Sequence, residues 1–129
     1  IINTIKMRQS NDISRILKSV KDDLYDNNHK SKSFFQSSIL HLAISLEIAI
    51  STYNKNDVSY EKLCESIPKK FGSRSTIQSI LNDAVELRYF YKETSSNDKR
   101  IKNYRLTDEY SEMLKGWAEY FENAIKEAN

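Results

Sequence analysis

Residues 73–107 read SRSTIQSILNDAVELRYFYKETSSNDKRIKNYRLT, and this stretch decides the fold. Ser73 or Ser75 can open a helix, because a serine hydroxyl accepts from a first-turn N–H that has no partner inside the helix. Ser75 with Gln78 has capping-box spacing. Ile77, Ile80, Leu81, Ala84 and Val85, with Leu87 beyond them, recur at helical spacing and form one apolar face. Ser73, Arg74, Ser75, Thr76, Gln78, Ser79 and Asn82 lie on the opposite side. Tyr89-Phe90-Tyr91 has high strand propensity, and Thr94 to Asp98 is a polar turn. Ile101, Asn103 and Arg105 then alternate with Lys102, Tyr104 and Leu106, the pattern of a half-exposed strand. The stretch predicts a helix followed by a β-hairpin with a basic tip.

Upstream, Ser59 can cap a short helix through Ile67, with Leu63 and Ile67 inward. Pro68 stops it, since the residue before a proline avoids helical dihedrals, and Gly72 breaks the chain again. Asn54 to Asp57 reads as a loop. Ser33 to Tyr53 reads as one helix with a broad apolar face of Phe34, Phe35, Ile39, Leu42, Ala43, Leu46, Ala49, Ile50 and Tyr53. Leu40, Ile44 and Ile48 widen that face, which predicts a central, largely buried helix. Over 12–26, Asp12 can cap a first helix carrying Ile13, Ile16, Leu17, Val20 and Leu24, and Asp26-Asn27-Asn28 can end it. Downstream, Thr107 can cap a final helix, with Asp108 and Glu109 at its positive end. Its apolar stripe is Tyr110, Met113, Leu114, Trp117, Tyr120, Phe121, Ala124 and Ile125.

Composition narrows the classes. The 129 residues suit one domain, 1–129, divided into N-terminal helices (12–53), a central unit (58–106) and a C-terminal helix (107–129). Gly 2 and Pro 1 are too few for a tight-turn β sandwich or a glycine-rich phosphate loop. One cysteine, Cys64, allows neither an internal disulfide nor a multi-cysteine zinc site, and reads as a small core residue beside Leu63. His29 and His41 show no metal-ligand pattern, and His41 reads as a satisfied core histidine or an interface residue. No nucleophile–base pair, carboxylate pair or metal cluster has interpretable spacing, so neither an enzyme nor a cofactor is expected. The most apolar run, Ile39 to Ile50, is too short to span a bilayer, and no secretory signal is read. The expected setting is reduced and cytoplasmic. Net charge is +2, yet 66–105 holds nine Lys/Arg against Asp83, Glu86, Glu93 and Asp98. That block is either a solvated face or a surface for a polyanion.

Helix, turn, helix and hairpin in this order make a mainly α fold with a small β-hairpin, a winged helix-turn-helix. A helix fits the major groove of B-DNA, and a hairpin tip reaches the flanking backbone. Ser73-Arg74-Ser75-Thr76-Ile77 resembles the start of the recognition helix in the MarR-type transcriptional regulators, with Thr76-Ile77 at the family's Thr-Val pair. Asp98-Lys99-Arg100, Tyr104 and Leu106-Thr107 resemble its wing, and Leu63-Cys64 resembles the Leu-Ala of the first helix of the motif. Three positions depart from the family. The turn Ile67 to Ser73 is longer, Ser79 stands where many members carry arginine, and Arg88 replaces the glycine that ends the recognition helix. A left-handed backbone at Arg88 would cost about 1 kcal/mol.

The resemblance implies a sequence-specific DNA-binding regulator, in the form of a homodimeric repressor acting by steric occlusion. It also implies that Arg100 is the wing arginine and that Asp98 orients the tip. Lys69, Lys99, Arg100 and Lys102 would neutralise phosphates, while Ser73, Arg74, Ser75, Thr76, Gln78, Ser79 and Asn82 would face base edges. Arg74 suits guanine and Gln78 suits adenine by donor and acceptor geometry. Lys69 and Lys70 are either phosphate contacts or solubility residues. Dimerisation helices at 12–26 and 108–127 would set two recognition helices about 34 Å apart. Trp117, Tyr120 and Phe121 could line an apolar pocket between the dimer interface and the DNA-binding lobe, open to a small-molecule effector. The competing expectation is a winged-helix protein–protein module that does not bind specific DNA.

Overall fold

A computed structural model describes residues 10–26 and 28–127. Among the described residues, six α-helices and one antiparallel hairpin run in the order α1 (Ser10–Tyr25), α2 (Lys30–Phe35), α3 (Ile39–Tyr53), α4 (Tyr60–Ser66), α5 (Arg74–Glu86), β1 (Phe90–Thr94), β2 (Lys102–Leu106) and α6 (Asp108–Glu127). A 3-10 turn at Lys69–Phe71 separates α4 from α5. The expected mainly helical fold with a hairpin is therefore present.

Two helices differ from the sequence expectation. The single helix expected over 33–53 is two helices. Gln36 leaves helical geometry, and Ser38 caps α3 by accepting the His41 N–H at 3.1 Å. The apolar pattern runs across this break without interruption and so conceals it. The core side of α3 is Leu40, Ile44, Ser45, Ile48 and Ala49, while Ile39, Ile50 and Tyr53 are exposed. The helix expected from Asp12 already includes Ser10, so Asp12 lies in its first turn and not at its cap. It ends at Tyr25, and the Asn28 N–H donates to the Asp26 carboxylate at 3.1 Å. Asn27 lies outside the described residues.

The core joins α2, α3, α4, α5, the hairpin and the start of α6, through Phe35, Ile44, Ile48, Leu63, Leu81, Phe90 and Tyr110. The Tyr110 ring stacks on Tyr89 at 5.0 Å and meets Phe90 edge-on at 5.4 Å. Its hydroxyl hydrogen-bonds that of fully buried Ser45 at 2.7 Å. Burial holds the Tyr110 phenol protonated far above its usual range.

α1 packs along α6 and buries a polar group rather than its apolar stripe. Asp23 is its one buried residue. The Asp23 carboxylate accepts from Trp117 Nε1 at 3.0 Å and Gln36 Nε2 at 2.9 Å, and pairs with Lys32 Nζ at 2.8 Å. Tyr120 Oη donates to the Ser19 carbonyl at 3.2 Å. Ile13, Leu17, Val20, Leu24 and Tyr25 remain exposed.

Candidate nucleic-acid interface

Helix ends and a glycine build the helix-turn-helix. Ser59 caps α4 by accepting the Lys62 N–H, and Ile67 leaves helical geometry ahead of Pro68. The longer turn is then taken up by the 3-10 segment, and extended Gly72 carries the chain into α5. A Cβ at Gly72 would stand 2.5 Å from Leu40 Cδ2, so the close approach of turn to α3 explains the residue. Of the two candidate caps, Ser73 is the one used. Its hydroxyl accepts the Thr76 N–H at 3.2 Å, while Ser75 lies inside the first turn.

α5 buries Ile77, Ile80, Leu81 and Ala84, and leaves Leu87 exposed. Arg74, Ser75, Thr76, Ser79 and Asn82 face outward with Ser73, and Gln78 is half-buried. Gln78 Nε2 donates to Asn82 Oδ1 at 3.0 Å, which ties two of the expected reading side chains together along the helix. Arg74 is held more firmly. Its Nη2 donates to Glu61 Oε1 at 2.5 Å, its guanidinium lies 5.2 Å from the Tyr60 ring centre, and its carbonyl accepts from Tyr60 Oη at 3.1 Å. Glu61 is held below the usual carboxylate range by its hydrogen bond from Arg74.

α5 ends in a left-handed residue. Arg88 has φ 65°, the Arg88 N–H donates to the Val85 carbonyl at 3.1 Å, and the Tyr89 N–H donates to Ala84 at 2.8 Å. These two bonds form a Schellman closure, which turns the chain directly into β1. The hairpin pairs Phe90 with Leu106 and Thr94 with Lys102. Tyr104 and Leu106 face the core. Asn103, on the other side of the strand, is also buried because it bridges to Ser59, and the Tyr104 N–H donates to the Val58 carbonyl at 2.8 Å. Arg105 braces the same junction through Asp57 at 2.5 Å and Glu93 at 3.5 Å.

The tip is organised by Asp98. Its carboxylate accepts from the Arg100 backbone N–H at 3.0 Å, from Nε at 3.1 Å and from Nη2 at 3.0 Å. Those bonds, the side-chain ones first, hold the Asp98 carboxyl below its ordinary range. The Arg100 side chain stays 90% exposed. Lys99 is exposed, Lys102 Nζ donates to Thr94 Oγ1 at 2.8 Å, and Lys69 and Lys70 are exposed on the 3-10 turn.

A groove of about 390 Å³ runs between the hairpin and the start of α4, with Gln78 of α5 in its wall, and is lined by residues that include Tyr60, Glu61, Lys92, Arg100 and Lys102. The structure thus brings Gln78, Arg100 and Lys102 to one cleft, and sets Arg74 with Lys69 around two other hollows beside the turn. Tyr60, Glu61 and Lys92 were not singled out from sequence. Tyr60 and Glu61 reach Arg74 only through tertiary contact. A second cavity, of about 500 Å³, lies between α1, α2 and α6. Trp117 and Tyr120 line it beside charged groups, Asp23, Asp26, Lys32 and Glu112 among them, and Phe121 does not. Phe121 turns edge-on to Trp117 and Tyr120 instead.

No family model and no curated protein matches the chain. Solved structures do. A double mutant of Lactococcus lactis ZitR superposes with TM-score 0.57 at 18% identity, over 93% of this chain and 80% of that one. The fold is that of the MarR-type winged-helix regulators. A MarR-like transcription regulator from Bacillus cereus gives TM-score 0.52 at 19% identity, over 99% and 83% of the two chains. Staphylococcal (S. aureus) MepR in complex with DNA gives 0.50 at 10% identity, over 94% and 84%. In the MarR-type frame, α4 and α5 are the helix-turn-helix and β1–β2 is the wing. No described helix is long and apolar enough to cross a membrane, and no described group of His, Cys, Asp and Glu could hold a metal ion.

Proposed function

We propose that the chain is a homodimeric, sequence-specific DNA-binding transcriptional regulator that represses by occluding its site. One observation carries this reading: the outward side chains of α5 and the Arg100-tipped wing are both exposed, and Gln78 of α5 shares an open groove with Arg100 and Lys102. A helix of this kind enters a major groove while the wing reaches the neighbouring backbone. Lys99, Arg100, Lys102 and Lys69 supply phosphate contacts, and Arg74, Thr76, Gln78 and Asn82 face base edges. MepR, which shares the fold, has been solved on DNA.

The dimer reading is supported by the exposed stripe on α1, where Leu17 is 62% and Tyr25 73% exposed, and by Tyr120 and Ile125 on the adjoining α6. Apolar side chains that leave water on association would hold two copies together. The cavity walled by Trp117 and Tyr120 at the junction of these helices suits a small-molecule effector, which would change lobe spacing and hence affinity. A cytoplasmic setting, with access to DNA, goes with this function.

The test is retention of random-sequence duplexes in a gel-shift titration against salt. Affinity should fall by about 0.9 log unit per log salt for each phosphate neutralised. Arg100→Ala and Lys102→Ala should flatten that slope while the dimer, read by sedimentation, persists. Absence of any retained duplex at about 50 mM salt removes the reading in favour of a protein–protein module.

A further inference from the structure

Resting on the DNA-binding reading, we infer that Tyr60 and Glu61 are positioning residues that present Arg74 to a guanine. Arg74 is fixed from outside its own helix, by three contacts from α4. Tyr60 Oη takes hold of its carbonyl at 3.1 Å, the Tyr60 ring lies 5.2 Å from the guanidinium, and Glu61 Oε1 accepts from Nη2 at 2.5 Å. The Arg74 side chain is still 58% exposed, and Glu61 occupies only one of its donors. The fork therefore keeps donors free for two acceptors in one plane, such as O6 and N7 of guanine in the major groove.

Charge argues for a base rather than a phosphate. A phosphate arriving at Arg74 would meet the Glu61 carboxylate, 65% exposed beside it, whereas Arg100 stands 90% exposed with its Asp98 partner only 32% exposed. A donor pair oriented in this way is suited to hydrogen-bond readout, which carries sequence information. By contrast, Lys69, Lys70, Lys99 and Lys102 have no carboxylate partner among the described ion pairs.

The experiment is selection from a random-core duplex pool with the full chain, followed by titration of the enriched duplex and of its 7-deazaguanine analogues. Wild type should enrich a guanine whose 7-deaza replacement weakens binding about tenfold, an effect absent in Arg74→Ala. Glu61→Gln and Tyr60→Phe should reduce that discrimination severalfold with unaltered thermal melting. Glu61→Gln should leave affinity for unselected duplex equal or higher, since a negative charge is removed. Neither change should matter in the Arg74→Ala background. Full guanine discrimination in Glu61→Gln and Tyr60→Phe overturns the inference and leaves the DNA-binding reading standing. Failure of wild type to retain any duplex overturns both.

Discussion

Replacing Arg88 with glycine should stabilise the protein. Arg88 occupies φ 65° at the closure of α5, where the Tyr89 N–H reaches Ala84 and the Arg88 N–H reaches Val85. In this region Cβ crowds the following carbonyl, at about 1–2 kcal/mol for a residue other than glycine. A glycine relieves that crowding but gives the unfolded chain more freedom, which offsets about 0.5–1 kcal/mol. The side chain is exposed, so little packing is lost, and the Arg88 carbonyl can still accept from Thr107 Oγ1 at 2.8 Å. The net gain is about 0.5–1 kcal/mol. With about 2.1 cal/mol/K per residue, 129 residues give an unfolding entropy of about 0.27 kcal/mol/K, so Tm should rise by about 2–4 °C. Arg88→Ala is the control, because it removes the charge and keeps the crowding. Thermal and urea unfolding read both variants. A Tm that does not rise in Arg88→Gly, or that rises equally in Arg88→Ala, would refute the argument.

Tyr110→Phe should cost about 1–3 kcal/mol in urea unfolding, because it strands the buried Ser45 hydroxyl, and the added Ser45→Ala change should cost less than its effect alone. Leu63→Ala, at a position with no exposure, should cost about 2–5 kcal/mol by the same measurement. Burial outweighs the nearby Asp83 charge and lowers the His41 pKa below 6.5, so the folded state binds fewer protons than the unfolded one. The His41 contribution is thus present above pH 6.5 and is lost as pH falls below it, and melting curves of His41→Gln should lack that component. Leu17→Asp should shift sedimentation toward a monomer without unfolding the chain, since Leu17 is 62% exposed.

Local chemistry made part of this structure legible. Ser59, Pro68, Thr107 and the two strands around a polar tip each act through their own neighbours, and each stands where sequence placed it. Helix α5 was legible for the same reason, whereas the left-handed residue at Arg88 was indicated only by the family resemblance. Orientation along α3 was not. With apolar residues all round, nothing in the pattern distinguishes Ile44 and Ile48, which are buried, from Ile39 and Ile50, which are exposed. The break at Gln36 was hidden because Phe34, Phe35 and Ile39 keep helical spacing across it, although Ser38 carries the cap that marks it. In the site, the outward residues of α5 follow from periodicity. The hold on Arg74 does not, because Tyr60 and Glu61 lie 14 and 13 positions away and meet it only after α4 and α5 pack.

The Ser59–Asn103 bridge and the Tyr104–Val58 hydrogen bond stitch the wing to the strand of backbone that opens α4. The start of α4 in turn holds α5, through Glu61 and Tyr60 on Arg74, so wing and α5 share one brace. In the dimer proposed above, whatever re-spaces two such units along a duplex would act behind them, at the α1–α6 seam and the α2–α3 elbow, where an Asp23-centred cluster of polar contacts joins three helices. Gating built on that seam would answer to solvent and charge more readily than to size.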